Sequence, residues 1–183
     1  MDWNRLSELL KTGRPYWIPF AVILGALMLI LIVYLYYRHS VKKRRQQRIE
    51  KRREERRRIL NNFVFYKEFE HQWITGRGRG LKYEDGPGCY VILFFDEPVT
   101  DQNYEHYKNV YVGQSVNRYQ RVHNHFNGKG NGDVYADIKY GKFVYVKFFP
   151  CYDVEMNRLE QSLIHKLNAT KSYNNTRGGS QQR

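Results

Sequence analysis

Five side chains in the C-terminal half of this 183-residue chain have the types and spacing for phosphodiester chemistry. Tyr90 ends a Gly-Cys-Tyr string and Tyr111 begins a Tyr-Val-Gly string, both of strand character. Arg121 and His125 are four residues apart, so on a helix they share one face. Glu160 is an isolated carboxylate in a later apolar segment. An arginine stabilises charge on phosphate oxygens, a histidine moves protons near neutral pH, and a carboxylate holds a cation.

Glu160 is the clearest physical signal. It follows Met156 by four residues and precedes Ile164 by four, which places it on the apolar face of a predicted helix. A carboxylate buried there must be paired, protonated or bound to a cation. Two alternatives remain open from the residues alone: a salt bridge to Arg121 or Lys166, or a single hydrated Mg²⁺, an ion that takes few protein ligands.

The two tyrosines are weaker signals. Most strand tyrosines are half-buried core residues whose hydroxyl finds a hydrogen-bond partner. A phenol titrates near about 10, so Tyr90 or Tyr111 could act as a base only beside a cation such as Arg121 or a metal.

The pattern of apolar residues predicts an α+β domain over residues 85–179. Its order is β-β-α-β-α, with a small three-stranded antiparallel sheet flanked by helices. Asn117 is the predicted N-cap of the first helix. The predicted elements are strand 88–95, hairpin loop 96–108, strand 109–114, helix 117–126, strand 142–149 and helix 153–168.

The ordered set of motifs resembles the GIY-YIG nuclease superfamily. The resemblance rests on Gly88-Cys89-Tyr90, Tyr111-Val112-Gly113, Arg121, His125, Glu160 and Tyr173-Asn174. Two features depart from the family pattern: Cys89 stands where the family has isoleucine, and the hairpin loop is long.

The resemblance implies metal-dependent hydrolysis of one DNA strand at a time. Glu160 would hold a single divalent ion, Mg²⁺ or Mn²⁺. Tyr90 or Tyr111 would orient or deprotonate the attacking water, with His125 relaying the proton. Arg121 would stabilise the transition state, and Asn174 would lie beside the active site.

DNA is the expected partner. The residues that we expect to contact it are Arg77, Arg79, Gln114, Ser115 and Lys129. One active site makes a nick, so a double-strand break requires a homodimer or two successive events. Two other functions stay open from the sequence: a catalytically silent nucleic-acid- or lipid-binding module on the same scaffold, and a nuclease that repairs or processes the cell's own DNA.

An uncharged segment, residues 16–37, predicts a transmembrane helix because it is long enough to cross a bilayer. The membrane-facing residues of this prediction are Trp17, Phe20, Leu27, Leu31 and Tyr34. A cleaved signal peptide fits less well, since a dense basic run follows the segment in place of a small-residue cleavage site.

Charge is distributed unevenly around that segment. The arm of residues 1–15 has a net charge of +1 and residues 38–58 have +9, so only +3 of the total of +13 remains for residues 59–183. The positive-inside rule therefore predicts a single-pass cell-membrane protein with its N-terminus outside and its C-terminal domain in the cytoplasm. The basic helical stalk, residues 38–60, would bind anionic lipid headgroups, nucleic-acid phosphates or both.

Two further segments complete the predicted organisation. Residues 61–84 form an aromatic and Gly/Arg-rich connector between the stalk and the domain, and residues 180–183 form a tail. Cys89 and Cys151 are the only cysteines, which is too few for a disulfide framework and has no metal-ligand spacing.

Overall fold

The computed structural model describes residues 17–76 and 85–174, with the backbone alone at residues 17–20. The chain forms two compact units, residues 1–52 and 53–183. The predicted arm of residues 1–15, the tail of residues 180–183 and the connector residues Arg77 and Arg79 lie outside the described residues.

The first element is a long helix, α1 (Trp17–Ile59), of 43 residues. Part of it is long and apolar enough to cross a membrane, judged by length and composition. Within that part the side chains of Leu27, Leu31 and Tyr34 are exposed. The basic residues that follow continue the same helix, where they are exposed for the most part.

The sheet contains four antiparallel strands in the order β1-β4-β2-β3. The α+β class is as predicted, but the prediction of three strands was wrong. The additional strand has only two residues and pairs with two residues of β4, so it is too short to show the alternation that reveals a strand in a sequence. The strands are β1 (Val64–Phe65), β2 (Gly88–Phe95), β3 (Asn109–Ser115) and β4 (Phe143–Pro150).

Four helices follow α1: α2 (Tyr66–Gly76), α3 (Arg118–Phe126), α4 (Gly132–Lys139) and α5 (Asp153–Leu167). The 3₁₀ turns Tyr104–His106 and Ala169–Lys171 lie in the hairpin loop and after α5. The sequence did not predict α4. This helix has only eight residues, but Asn131 caps it by accepting hydrogen bonds from the amides of Asp133 and Val134.

The central strand β2 is buried along its whole length. Because side chains alternate across a strand, it contributes to a core on each face of the sheet. On one face Val91 and Leu93 share a core with Leu163 and Ile164 of α5. On the opposite face Tyr90, Ile92 and Phe94 share a core with residues of α2 and α3, namely Phe69, Trp73, Tyr119, Val122 and Phe126. The sheet thus separates α5 from α3.

The start of α3 is fixed from outside the helix. Asn117 occupies the N-cap position, but its side chain makes no capping hydrogen bond. The Asp85 carboxylate instead accepts hydrogen bonds from the amides of Tyr119 at 3.0 Å and Gln120 at 3.1 Å. The expectation that Asn117 caps this helix is therefore corrected. Asp85 thereby ties the segment before β2 to the helix that carries Arg121 and His125.

Candidate active site

Tyr90 and His125 form the buried centre of the site. The Tyr90 hydroxyl lies 2.8 Å from Nε2 of His125. The two residues are 1% and 0% exposed, respectively. Strand β2 places Tyr90 on the face covered by α3, and one face of α3 directs His125 back towards the sheet. The contact therefore joins the Gly88-Cys89-Tyr90 string to helix α3.

A backbone amide determines which nitrogen of His125 carries the proton. The N–H of Asn131 donates to Nδ1 of His125 at 2.7 Å. An amide N–H can only donate, so Nδ1 is the unprotonated nitrogen and Nε2 carries the hydrogen of the neutral ring. Burial first, and then the positive charge of Arg121, lower the pKa of His125 to about 4. At neutral pH His125 is therefore a neutral donor to the Tyr90 oxygen.

Tyr111 lies diagonally across the strand pair from Tyr90, since its own pairing partner is Ile92. Its ring centroid is 6.3 Å from that of Tyr90 and 5.1 Å from that of His125. Burial raises the pKa of Tyr111 and raises that of Tyr90 well above its usual range. Both phenols are therefore protonated at neutral pH in the folded protein.

Gly113 is the residue that lets the Tyr90 ring lie across β3. It is the pairing partner of Tyr90, and a Cβ added at Gly113 would collide with the Tyr90 hydroxyl and Cζ. A Cβ added at Gly130 would likewise collide with the His125 ring. These two glycines therefore shape the site because they have no side chain. Their role could not be found by searching the motifs for reactive groups.

Arg121 is exposed on α3, one turn before His125. Its positive charge acts against the rise in the pKa of Tyr90. The same charge acts against the rise in the pKa of Tyr111. Arg121 is thus the cation next to both phenols and is accessible to a charged ligand.

Glu160 reaches the site from the other face of the sheet. It is 8% exposed on α5, beside the buried Leu163, Ile164 and Leu167. Its negative charge raises the pKa of Tyr90 and of Tyr111, which places it within electrostatic reach of both. Glu160 bonds Gln114 of the edge strand β3, and the preceding residue, Gly113, pairs with Tyr90, so groups from the two faces approach this end of β3.

Gln114 connects β3 to Glu160. Its Nε2 donates to Glu160 Oε2 at 3.1 Å and to Asn157 Oδ1 at 2.6 Å. Its Oε1 is buried and has no hydrogen-bond partner. Lys166, one predicted alternative partner of Glu160, forms an ion pair with Glu55 at 3.4 Å.

The oxygen atoms near Glu160 fit a hard divalent cation. Within the described residues no group of three or more His, Cys, Asp or Glu side chains could hold a metal. A carboxylate beside an amide oxygen that has no partner is nonetheless a set of hard donors, and Mg²⁺ keeps several waters when it has few protein ligands. The residues present therefore fit a largely hydrated ion.

Asn174 pairs with the outer edge of β3. Its Oδ1 accepts from the Val112 amide at 2.8 Å and its Nδ2 donates to the Val112 carbonyl at 2.7 Å. Val112 lies between Tyr111 and Gly113, so this pairing fixes the strand where the site is built. Asn174 supports the site through the backbone of β3.

Two further predicted DNA contacts, Ser115 and Lys129, are among the described residues. The Ser115 hydroxyl accepts from the Asn117 amide at 3.1 Å, between β3 and α3. Lys129 is exposed in the loop before α4. Sequence reasoning missed Asp85, Asn131 and the buried Arg118. The Asn127-Gly-Lys-Gly-Asn-Gly string was the available signal for Asn131, because an asparagine before a short apolar pattern is typical of an N-cap.

The fold and the site together define a class: a small α+β domain that collects an arginine, two tyrosines, a histidine and a carboxylate at one edge of its sheet. Residues 87–174 match the model of the GIY-YIG catalytic domain, and this part of the chain is a GIY-YIG domain. The family is one of nucleases, as the resemblance of the motifs predicted. Searches among curated proteins and among solved structures found no match.

Proposed function

We propose that this protein is a membrane-anchored, divalent-metal-dependent DNA endonuclease. The observation that carries the proposal is the meeting of Tyr90, His125 and Arg121 from one face of the sheet with Glu160 from the other, inside a GIY-YIG domain. Fold alone does not give activity, so the argument rests on this arrangement of groups.

Glu160, with Gln114 beside it, would hold the ion. A bound Mg²⁺ or Mn²⁺ supplies a Lewis acid for the phosphoryl oxygen and the leaving oxygen. Gln114 holds one carboxylate oxygen through Nε2, which orients Glu160 before any ion arrives. Arg121 lies on the accessible side, where its forked donors can stabilise the charge that develops on the phosphate.

Tyr90 would orient the attacking water and, once its own hydroxyl proton has passed to solvent, would accept a proton from that water. His125 donates Nε2–H to the Tyr90 oxygen, so the hydroxyl proton of Tyr90 is directed away from the ring of His125. The same donor, together with the charge of Arg121, favours the phenolate form in which Tyr90 accepts a proton from water. His125 acts in this proposal as a fixed donor to Tyr90 and not as the proton relay implied by the resemblance.

The proposed location is the inner face of the cell membrane. It is supported by the long apolar part of α1 and by the net charge of +9 on residues 38–58. A nuclease held there would meet DNA as it enters the cell, which makes incoming foreign DNA, such as phage DNA, the proposed substrate. The basic stalk would bind anionic headgroups. Proteolysis of intact cells and of inverted vesicles tests the orientation: a C-terminal tag should be cleaved only in inverted vesicles.

The nuclease proposal is tested by nicking of supercoiled plasmid by the full-length protein in detergent micelles. We expect nicking with Mg²⁺ or Mn²⁺, none with EDTA, and none for Glu160→Ala. Glu97→Ala is the matched control because Glu97 is an exposed carboxylate in the hairpin loop. Nicking that survives EDTA, or that Glu160→Ala leaves unchanged, would contradict the proposal.

A further inference from the structure

Arg118 is a buried arginine with no ion pair among the described residues. It is 8% exposed. Nη1 donates to the Pro87 carbonyl and Nη2 to the Tyr119 hydroxyl, both at 3.1 Å, while the guanidinium carbon lies 4.4 Å from the centre of the Tyr119 ring. Nε is buried and has no hydrogen-bond partner. Burying a cation without an ion pair is costly, and here its contacts are a carbonyl, a hydroxyl and an aromatic ring, none of which carries a negative charge.

Arg118 lines a cavity of about 480 Å³ at the start of α5. The 15-residue helix α5 begins after Tyr152, whose side chain makes no capping hydrogen bond. Helix N-termini attract anions through their free amides and the helix dipole. The other residues lining the cavity are Pro87, Pro150, Cys151, Tyr152 and Glu155.

Two glycines hold the Arg118 side chain in place. A Cβ added at Gly86 would lie 3.3 Å from Nη1, and one added at Gly88 would lie 3.1 Å from Cδ. The backbone before β2 therefore packs directly on the side chain. The guanidinium is fixed between this backbone and the Tyr119 ring, so little side-chain entropy is lost when a ligand binds.

Residues lining the cavity lie on or directly before three elements that also carry candidate active-site residues. Arg118 precedes Arg121 by three residues on α3, a rise of about 4.5 Å on nearly the same face. Glu155 precedes Glu160 on α5, and Pro87 comes directly before β2, the strand that carries Tyr90. A ligand that extends from the site towards the N-terminal ends of α3 and α5 would reach this cavity.

We propose that Arg118 and the N-terminus of α5 form a phosphate subsite, which takes a backbone phosphate next to the one that is cut. The inference rests on the proposed nuclease function. Phosphate suits the forked donors of an arginine and the amides of a helix start. The exposed Glu155 lines the same cavity, and Asp153 also lies in the first turn of α5, so two negative charges limit the affinity. A free phosphate monoester has the same chemistry, so the experiment must separate the two sources.

The test uses the full-length protein in detergent micelles with Glu160→Gln, in EDTA, so that DNA is bound and not cut. Affinity for a labelled duplex is measured from about 50 to about 200 mM salt, because each phosphate contact contributes about −0.9 to the slope of log K against log salt. Arg118→Met should reduce the size of that slope by about 0.9. Lys108→Met is the control, since it removes a charge that is paired with Asp96 in the hairpin loop.

Binding of inorganic phosphate and of thymidine monophosphate, measured by calorimetry, separates the sources. A smaller slope in Arg118→Met without saturable binding of either probe assigns the subsite to DNA. Saturable binding that Arg118→Met abolishes supports the site with a free phosphate as ligand. Unchanged slope together with no Arg118-dependent probe binding overturns the subsite. A wild-type protein that binds no DNA contradicts the nuclease proposal separately.

A second variant keeps the proposal testable if Arg118→Met does not fold. Glu155 is exposed, and Glu155→Gln removes its negative charge without changing the size of the side chain, so this variant should fold. It should bind DNA about twofold to fivefold more tightly, because interactions of exposed charges are modest. If Arg118→Met fails to fold and Glu155→Gln binds no more tightly than its parent, the subsite is overturned.

Discussion

The amide of Asn131 and the ring of His125 are joined by a hydrogen bond of 2.7 Å that assigns the proton of the ring to Nε2. Because Nε2 faces the Tyr90 hydroxyl at 2.8 Å, a loop amide six residues away decides which partner of the Tyr90–His125 pair donates. The loop and its Gly130 are therefore part of the candidate active site although neither offers a reactive group.

The lowered pKa of His125 predicts a pH dependence of stability. The folded protein holds this pKa at about 4, against 6.5 for a free histidine. Between these values the unfolded chain binds a proton that the folded protein does not, so stability falls as pH drops from 6.5 towards 4. His125→Gln should show a shallower fall in melting temperature over this window. His106→Gln is the control because His106 is exposed in the hairpin loop; an equal fall in wild type and His125→Gln would contradict the assignment.

Gly113→Ala should slow nicking by about 10²-fold with little change in the remainder of the fold. The new Cβ would displace the Tyr90 ring from its position over β3. A misplaced catalytic group costs about 10²-fold in rate. Gly132→Ala is the matched control, since nothing lies within 4 Å of a Cβ added there. Single-turnover nicking by the two variants checks this prediction. A nicking rate near wild type for Gly113→Ala would show that the reaction does not depend on the position of the Tyr90 ring.

Asn174→Ala should destabilise the domain by about 1–3 kcal/mol, because it leaves both backbone groups of Val112 without their buried partners. Urea unfolding followed by tyrosine and tryptophan fluorescence measures the loss. Asn174→Asp keeps the acceptor for the Val112 amide but removes the donor for the Val112 carbonyl, so it should also destabilise the domain. Wild-type stability in both variants would mean that this edge of β3 does not need Asn174.

The cap of α3 offers a paired comparison. Asp85→Ala removes two bonds to the first turn and should cost about 1–2 kcal/mol of unfolding free energy. Asn117→Ala should be nearly neutral because its side chain makes no capping bond. Thermal unfolding of both variants checks the order. If Asn117→Ala lost more unfolding free energy than Asp85→Ala, Asn117 would be the cap of α3.

Much of the domain could be predicted from the sequence, because its long elements have clear patterns. Strand β2 is a continuous apolar run and α5 has a regular apolar stripe, so both were predicted from local pattern alone. The two-residue β1 could not be predicted in this way, since it exists through its pairing with β4. Likewise, Asn117 is a favourable N-cap by residue type, but Asp85 from a distant segment takes that role.

In the candidate site, too, some features could be predicted from local sequence and others depend on packing. Residues with reactive groups could be selected by type and order, as Tyr90, Arg121 and Glu160 were. The Asn131 amide, the space at Gly113 and the buried charge of Arg118 depend on how distant segments pack. A backbone donor has no signature in residue type, and the role of a glycine depends on the ring that lies across it.

The central claim is that groups from the two faces of the sheet act as one catalytic unit at the end of β3. Single-turnover nicking of supercoiled plasmid by full-length wild type, Tyr90→Phe, Glu160→Gln and the double variant tests it most directly. Each single variant should lose at least about 10²-fold in rate. The double variant should be little slower than the worse single variant, because residues that act together are not additive. A rate within about threefold of wild type for either single variant, or fully additive losses, would contradict the claim.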